Sequence, residues 1–249
     1  MAIGEMVVDV SQDWIMASSV QERFMRGGTR HYEGMDYAAS CRQMRALGGD
    51  CYDFSCQADG QLTMLVGDAS GKGVAAALMM ASVQASLRTA ALFTGSDLAA
   101  LLEAVNVQAC ASSVADRYAT LFYCVLDHRT RTLRYVNAGH NPPVVLHADR
   151  SIDWLESSGG PVGLFPDAAW EERVVRLRPG DCVLAYTDGV TETSASSGEE
   201  WGVDGLLRAA NSREIRSANE LVHTILEAMD DFSRCVQTDD ATVGVLRVC

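Results

Sequence analysis

The sequence predicts an α+β protein with sheets at its centre and helices laid over them. Strand-like apolar runs crowd the middle of the chain. Several are joined by turns too short for a crossover, so those pairs must run antiparallel. The helical patterns come in consecutive pairs instead of alternating one-for-one with strands, which separates α+β from α/β.

In chain order, Trp14, Ala17, Val20 and Phe24 recur at helical spacing until Gly27-Gly28 breaks the pattern. Residues 1–45 are therefore expected to hold an N-terminal helical segment packed on a domain spanning 46–249. Residues 51–57 and 62–67 read as two strands about a turn at Asp59-Gly60. Residues 74–92 read as a long helix of small side chains. Leu98, Leu101, Leu102 and Val105 mark another, with Ser96 as its cap. Strands follow at 118–127, 133–137, 144–147, 174–177 and 182–186, the first two joined at His128-Arg129-Thr130-Arg131. Ser217-Ala218-Asn219-Glu220 is a capping box that opens a helix with Leu221, Ile225, Met229 and Phe232 on one face. Residues 242–248 close the chain as a strand.

At 249 residues the chain can bury a sizeable core. Its 48% hydrophobic and 21% charged residues are those of a soluble globular protein. No run approaches the roughly 18 apolar residues of a membrane span, and Glu5 and Asp9 stand where a secretory signal would be basic. A cytoplasmic protein without a membrane partner is expected. The net charge of −13, with no stripe of Lys or Arg to offset it, argues against nucleic acid as a partner. Cys41, Cys51, Cys56, Cys110, Cys124, Cys182, Cys235 and Cys249 form no Cys-x-x-Cys pair and have no His at zinc-like spacing. They are expected as small core residues in a reducing compartment.

Four aspartates stand where an apolar strand meets a turn: Asp50, Asp68, Asp188 and Asp239. A carboxylate beside buried strands must be paired, hydrogen-bonded or metal-bound. Several converging on one place would repel one another, and hard divalent cations such as Mg2+ or Mn2+ resolve that conflict. If the first two strands form a hairpin, the start of one and the end of the next share a sheet edge, which brings Asp50 to Asp68. The run Gly67-Asp68-Ala69-Ser70-Gly71-Lys72-Gly73 invites a phosphate-loop reading that fails on detail, because its glycine spacing is short and Gly73 follows Lys72 where Ser or Thr should be. Asp68 then reads either as a metal ligand or as an acid in a tight turn before a helix. Asp53 is read either as a surface or hydrogen-bonding acid or as a residue with a role of its own, and Glu192 as the exposed face of a short helix in preference to a residue that supports the ligands. One member of Asp239-Asp240 is expected to point into the site while the other turns to solvent or caps a backbone amide.

Taken together, Gly48-Gly49-Asp50-x-Tyr52-Asp53-Phe54, Gly67-Asp68-x-Ser70-Gly71-Lys72-Gly73, Asn137-Ala138-Gly139-His140-x-Pro142, Thr187-Asp188-Gly189-Val190-x-Glu192 and Asp239-Asp240-x-Thr242 resemble the bacterial SpoIIE/RsbU-type serine/threonine phosphatases of the PPM (protein phosphatase 2C-like) superfamily. The resemblance covers about residues 45 to 249 in order. It implies a four-layer α-β-β-α sandwich with two antiparallel sheets and two Mn2+ or Mg2+ ions at one sheet end. Asp68 would bridge the ions with the Ala69 carbonyl beside it, Asp188 and Asp239 would complete the set, and Asp50 would serve nearby or through water. The implied substrate is a phosphorylated STAS-type anti-anti-sigma protein in partner-switching signalling. The N-terminal helix is similar to a switch segment that packs on the phosphatase core and forms homodimers. Two features depart from the eukaryotic members: Ser70 stands where they carry a His, and no N-terminal Arg matches their phosphate anchor. His140 is read as shaping its Gly turn, and Ala75 replaces a Pro common in the bacterial group. A metal-free interaction module and a small-molecule phosphatase are the alternatives.

Overall fold

Two antiparallel sheets face each other between helical layers in the computed structural model, which describes residues 2–25, 30–32, 34–56, 60–94, 97–112 and 117–249. Gly27-Gly28, Asp59 and Ser96, read above as breaker, turn and cap, lie outside the described residues. The elements are α1 (Ala2–Phe24), β1 (Arg30–Tyr32), β2 (Met35–Arg42), β3 (Cys51–Cys56), β4 (Gln61–Ala69), α2 (Val74–Ala90), α3 (Leu98–Ser112), β5 (Ala119–Asp127), β6 (Thr132–Ala138), β7 (Val144–Leu146), β8 (Ile152–Trp154), β9 (Arg173–Arg176), β10 (Cys182–Tyr186), α4 (Asp188–Thr191), α5 (Gly202–Ala210), α6 (Ala218–Ser233) and β11 (Ala241–Val248). One sheet has the order β3-β4-β5-β6-β9 and the other β1-β2-β11-β10-β7-β8.

The central strands are apolar on both faces because both faces are covered. From β4, Leu62, Met64 and Val66 enter the core between the sheets, where they meet Phe122 and Leu126 of β5 and Val183 and Ala185 of β10. Leu65 and Ala69 point the other way, onto α2 and α3. Leu184 and Tyr186 of β10 pack with Val243 and Val245 of β11 under α5 and α6. The resulting order of layers is helices, sheet, sheet, helices, as the family resemblance implied. Ser217 caps α6 by accepting from the Glu220 amide at 3.1 Å.

Three expectations are corrected. Residues 35–42 are a strand, paired with β11 from Met35↔Val248 to Arg42↔Ala241. The folded domain therefore begins before the boundary expected at residue 45. Small, weakly β-forming Ala38, Ala39 and Ser40 hid that strand. Asp36 within it also holds the start of α6, because its Oδ2 accepts from the Ala218 amide at 2.7 Å. The α1 stripe expected to pack is largely exposed, with Trp14 at 39%, Val20 at 51% and Phe24 at 38%. The side chain that the domain takes from the described part of α1 is polar Gln21. The cysteines also divide: Cys51, Cys124 and Cys182 are buried, whereas Cys56, Cys235 and Cys249 are exposed.

At the β7–β8 edge His147 sits between two carboxylates. Its Nε2 lies 3.0 Å from Asp153, and its Nδ1 lies 3.0 Å from Asp181 without hydrogen-bond alignment. Desolvation alone would depress the imidazole pKa, but the two aspartates outweigh it and the net shift is upward. A folded pKa above the unfolded value near 6.5 contributes stability that is full below that pH and lost as pH rises through the folded value. The gap in melting temperature between wild type and His147→Asn should therefore be wider at acid than at alkaline pH, and a gap independent of pH would contradict the pairing.

Candidate active site

The β3–β4 register sets Cys51 opposite Gly67, which places Asp50 opposite Asp68 at the open end of the hairpin. The β10–β11 register sets Tyr186 opposite Val243, so Thr187 faces Thr242 at the same end of the other sheet. Asp188 follows the first of these strands and Asp239-Asp240 precedes the second. Hairpin geometry thus gathers the four expected aspartates on one rim.

Asp50 is 1% exposed. Its Oδ2 accepts from Thr187 Oγ1 at 2.8 Å and Thr242 Oγ1 at 2.7 Å, so hydroxyls of one sheet hold a carboxylate of the other. Burial, and then the Asp68 charge, push its pKa up against those two hydrogen bonds. Asp68 is pushed up to about 7, first by burial and then by the charges of Asp188 and Asp239, with a hydrogen bond to Asp50 opposing. Asp188 is raised by burial and by Asp239, while the Gly189 amide and the Lys72 charge act against the rise. The three carboxylates at the mouth feel each other through a poorly solvated space, the condition a cation relieves.

The pair at 239–240 divides its work. Asp240 accepts from the Met44 amide at 2.7 Å through Oδ1 and from the Gly49 amide at 2.9 Å through Oδ2. Asp239 accepts from the Asp240 amide at 2.9 Å and from Lys72 Nζ at 2.6 Å. Close backbone approach explains two glycines: a Cβ on Gly49 would stand 2.9 Å from the Ala69 carbonyl oxygen, and one on Gly189 only 1.9 Å from that of Asp240.

Among the described residues, no three His, Cys, Asp or Glu side chains are drawn to a common point as a finished ligand set. Asp50 is bonded to its threonines and Asp239 to Lys72. The donor chemistry nevertheless fits a hard divalent ion: carboxylate oxygens of Asp68, Asp188 and Asp239, with the Ala69 carbonyl within reach of the same turn.

Several neighbours were not legible as site residues. Thr187 and Thr242 stand beside motif aspartates, which is the signal that could have found them. Gln21, 8% exposed, donates from Nε2 to the Gly48 carbonyl at 2.7 Å and accepts through Oε1 from the Gly48 amide at 3.2 Å and from Gln43 at 2.9 Å. At the end of α1, the Phe24 carbonyl accepts from Gln84 at 2.8 Å and from Arg88 of α2. Arg88 also pairs with Asp53 at 2.7 Å, so Asp53 is a partly buried structural acid. Arg45 brings Nη1 to 3.5 Å from where a Cβ on Gly73 would lie, which puts a guanidinium over the loop after Asp68. Ser70 has its hydroxyl taken by the Tyr118 amide at 3.0 Å, and its carbonyl by Arg117 at 2.6 Å.

Two residues keep the roles read for them. Glu192 is exposed at the end of α4. His140 is buried, with its amide on Asn137 Oδ1 at 2.8 Å and Nδ1 2.9 Å from Thr120 Oγ1. Burial drives its pKa down to about 4, so the ring is neutral; the Tyr186 backbone acts in the opposite sense, while Nε2 has no partner at normal hydrogen-bond geometry.

The family model for stage II sporulation protein E (SpoIIE) matches residues 58–249. The chain is 25% identical over 254 residues to protein IcfG of Synechocystis, covering 90% of this chain and 39% of that one. It is 25% identical over 240 residues to the phosphoserine phosphatase RsbU of Bacillus subtilis, covering 96% of this chain and 71% of RsbU. In fold it is similar to the SiaA-PP2C domain of Pseudomonas aeruginosa, with a TM-score of 0.82, 22% identity and 99% of each chain covered. The catalytic domain of the serine/threonine phosphatase PstP, solved with two manganese ions, has the same fold at a TM-score of 0.64 and 18% identity, with 86% of this chain and 97% of that one covered.

Proposed function

Because the chain belongs to the SpoIIE family, we propose that it is a metal-dependent protein phosphatase hydrolysing phosphoserine or phosphothreonine. The observation that carries this reading is the meeting of Asp68, Asp188 and Asp239 at one sheet rim, with Asp50 behind them. Asp68, Asp188, Asp239 and the Ala69 carbonyl would hold two Mn2+ or Mg2+ ions, and Asp50 would support Asp68. When bound, such ions supply charge neutralisation at the phosphoryl group and an acidified water for in-line attack.

The chain's own residues do the rest. Thr187 and Thr242 fix the Asp50 carboxylate, the Asp240 carboxylate fixes the Gly49 turn, and the pinned Ser70 carbonyl keeps the loop after Asp68 in place. Arg45 at the mouth is suited to a phosphoryl oxygen, in the part of the phosphate anchor absent from the sequence motifs. No cysteine is needed as nucleophile. Ser70 Oγ accepts from the Tyr118 amide, and an aliphatic hydroxyl is far too weak an acid to stand in for a histidine, so the leaving group's proton is left to water.

The substrate we assign is a phosphorylated STAS-type anti-anti-sigma protein, with the enzyme acting in the cytoplasm within sigma-factor partner switching. Phosphate release should depend on Mn2+ or Mg2+ and be far faster from the phospho-STAS protein than from p-nitrophenyl phosphate. Equal rates on the two would favour a small-molecule phosphatase, and activity that survives both Asp68→Ala and Asp188→Ala would refute the two-metal site.

The helix α1 we assign to regulation. It exposes Ile15 at 70%, Met16 at 65% and Val20 at 51%, a face suited to homodimerisation, while Gln21 holds the turn before Asp50. Gln21→Ala should lower phosphatase activity with the fold intact by circular dichroism; unchanged activity would remove α1 from the working of the site.

A further inference from the structure

We propose that Lys72 is a tethered counter-cation of the site, bonded to Asp239 when no divalent ion is bound and displaced from it when one binds. The inference rests on the metal-site reading above and concerns what stands in the ion's way.

The ammonium of Lys72 lies 2.6 Å from Asp239 Oδ2 and 3.3 Å from the Thr238 carbonyl oxygen, so both acceptors come from the loop that opens β11. Lys72 itself belongs to the loop between Asp68 and α2. Gly71 at φ +90° and Gly73 at φ +75° flank it with backbone that L side chains rarely adopt, an arrangement that turns its side chain back across the mouth of the site. The one bond thus ties the loop after one expected ligand to the residue that is another.

Charge makes the pairing more than a surface contact. Besides its bond to Asp239, the Lys72 ammonium acts against the upward shifts of Asp188 and Glu192, so its charge reaches across the acidic rim. The remaining oxygen of Asp239 already accepts from the Asp240 amide. A divalent ion reaching Asp239 therefore meets an oxygen already committed to an ammonium, and the like charges of ion and ammonium oppose sharing it. With 45% of the Lys72 side chain exposed, the released ammonium can hydrate on a long flexible stem. The pair lets a crowded acidic rim fold without an ion, at the expense of the ion's affinity.

The test is Mn2+ binding to the full chain, measured by calorimetry on wild type and Lys72→Met, which keeps the apolar stem and removes the charge. Alongside it, the rate at which acetyl N-hydroxysuccinimide acylates Lys72 in the wild type is read by mass spectrometry with and without Mg2+. The variant should bind Mn2+ tighter by up to about fivefold, the scale of a partly exposed ion pair, and Mg2+ should raise acylation of Lys72 severalfold. Unchanged or weaker Mn2+ binding in Lys72→Met overturns the proposal. Tighter binding with Lys72 acylation unaffected by Mg2+ also overturns it, because the lysine would then act through space without leaving Asp239. If neither protein binds Mn2+, the metal site fails and the exchange fails with it; binding by wild type with no gain in the variant fails the exchange alone.

Discussion

Asp68→Asn is expected to lower phosphatase turnover by roughly a thousandfold or more while leaving the fold as stable as before or more so. The two effects have one cause. In the metal-free protein Asp68 is a poorly solvated carboxylate facing Asp188 and Asp239, so its charge opposes folding there. In the proposed site the same charge would help to hold the ions, and losing such a ligand would remove several kcal/mol of transition-state stabilisation. Asparagine keeps the shape and one oxygen but not the charge. Rates on a phosphoprotein and melting temperature without metal, measured on the same preparation, check both halves. A large fall in melting temperature would mean that Asp68 is a structural residue and would undercut its role as a ligand.

Gly189→Ala should damage stability and activity together. A Cβ there would stand 1.9 Å from the Asp240 carbonyl oxygen and 3.3 Å from the Asp239 Cβ, and the first of these is backbone that cannot rotate aside. Either α4 or the 239–240 loop must move, and each carries an expected ligand. Overpacking of this kind costs about 3 kcal/mol, or roughly 6–12 °C in a domain of this size. Turnover should fall more than tenfold even at temperatures where the variant is folded. Melting curves and rates below the transition decide it; a variant with wild-type values for both would show that the two loops part without cost.

Much of the sandwich could be read in the sequence because its strands are long, apolar and joined by short turns. The juxtaposition of Asp50 and Asp68 followed from hairpin register alone. What stayed hidden has physical reasons. Strand β2 has small Ala38, Ala39 and Ser40 at its centre, and its place is fixed by pairing with β11, about two hundred positions away in the chain, so local propensity carries no trace of that partner. The stripe on α1 looked like the packing face because apolar side chains usually are, yet among the described residues the domain holds that helix through Gln21 and the Phe24 carbonyl. Arg45 could not be placed from sequence, since it lies outside every motif and comes near the loop at Gly73 only through the fold. The threonines flanking Asp188 and Asp239 were visible as motif letters, but what they do depends on facing strands of one sheet meeting a carboxylate of the other.

That meeting carries a consequence for how the protein can change. Thr187 and Thr242 belong to one sheet and Asp50 to the other, so the bonds that orient a candidate ligand also fasten the two halves of the sandwich at their rim. A hydrogen bond contributes about 0.5–1.5 kcal/mol net, and a buried donor left without its acceptor costs about 1–3 kcal/mol. A descendant that dispensed with chemistry could discard Asp68 and become sturdier, but discarding Asp50 would leave two hydroxyls unanswered and the seam open. Asp50 is thus answerable to two selections, and an aspartate persisting there in an inactive relative would be evidence of architecture, not of catalysis.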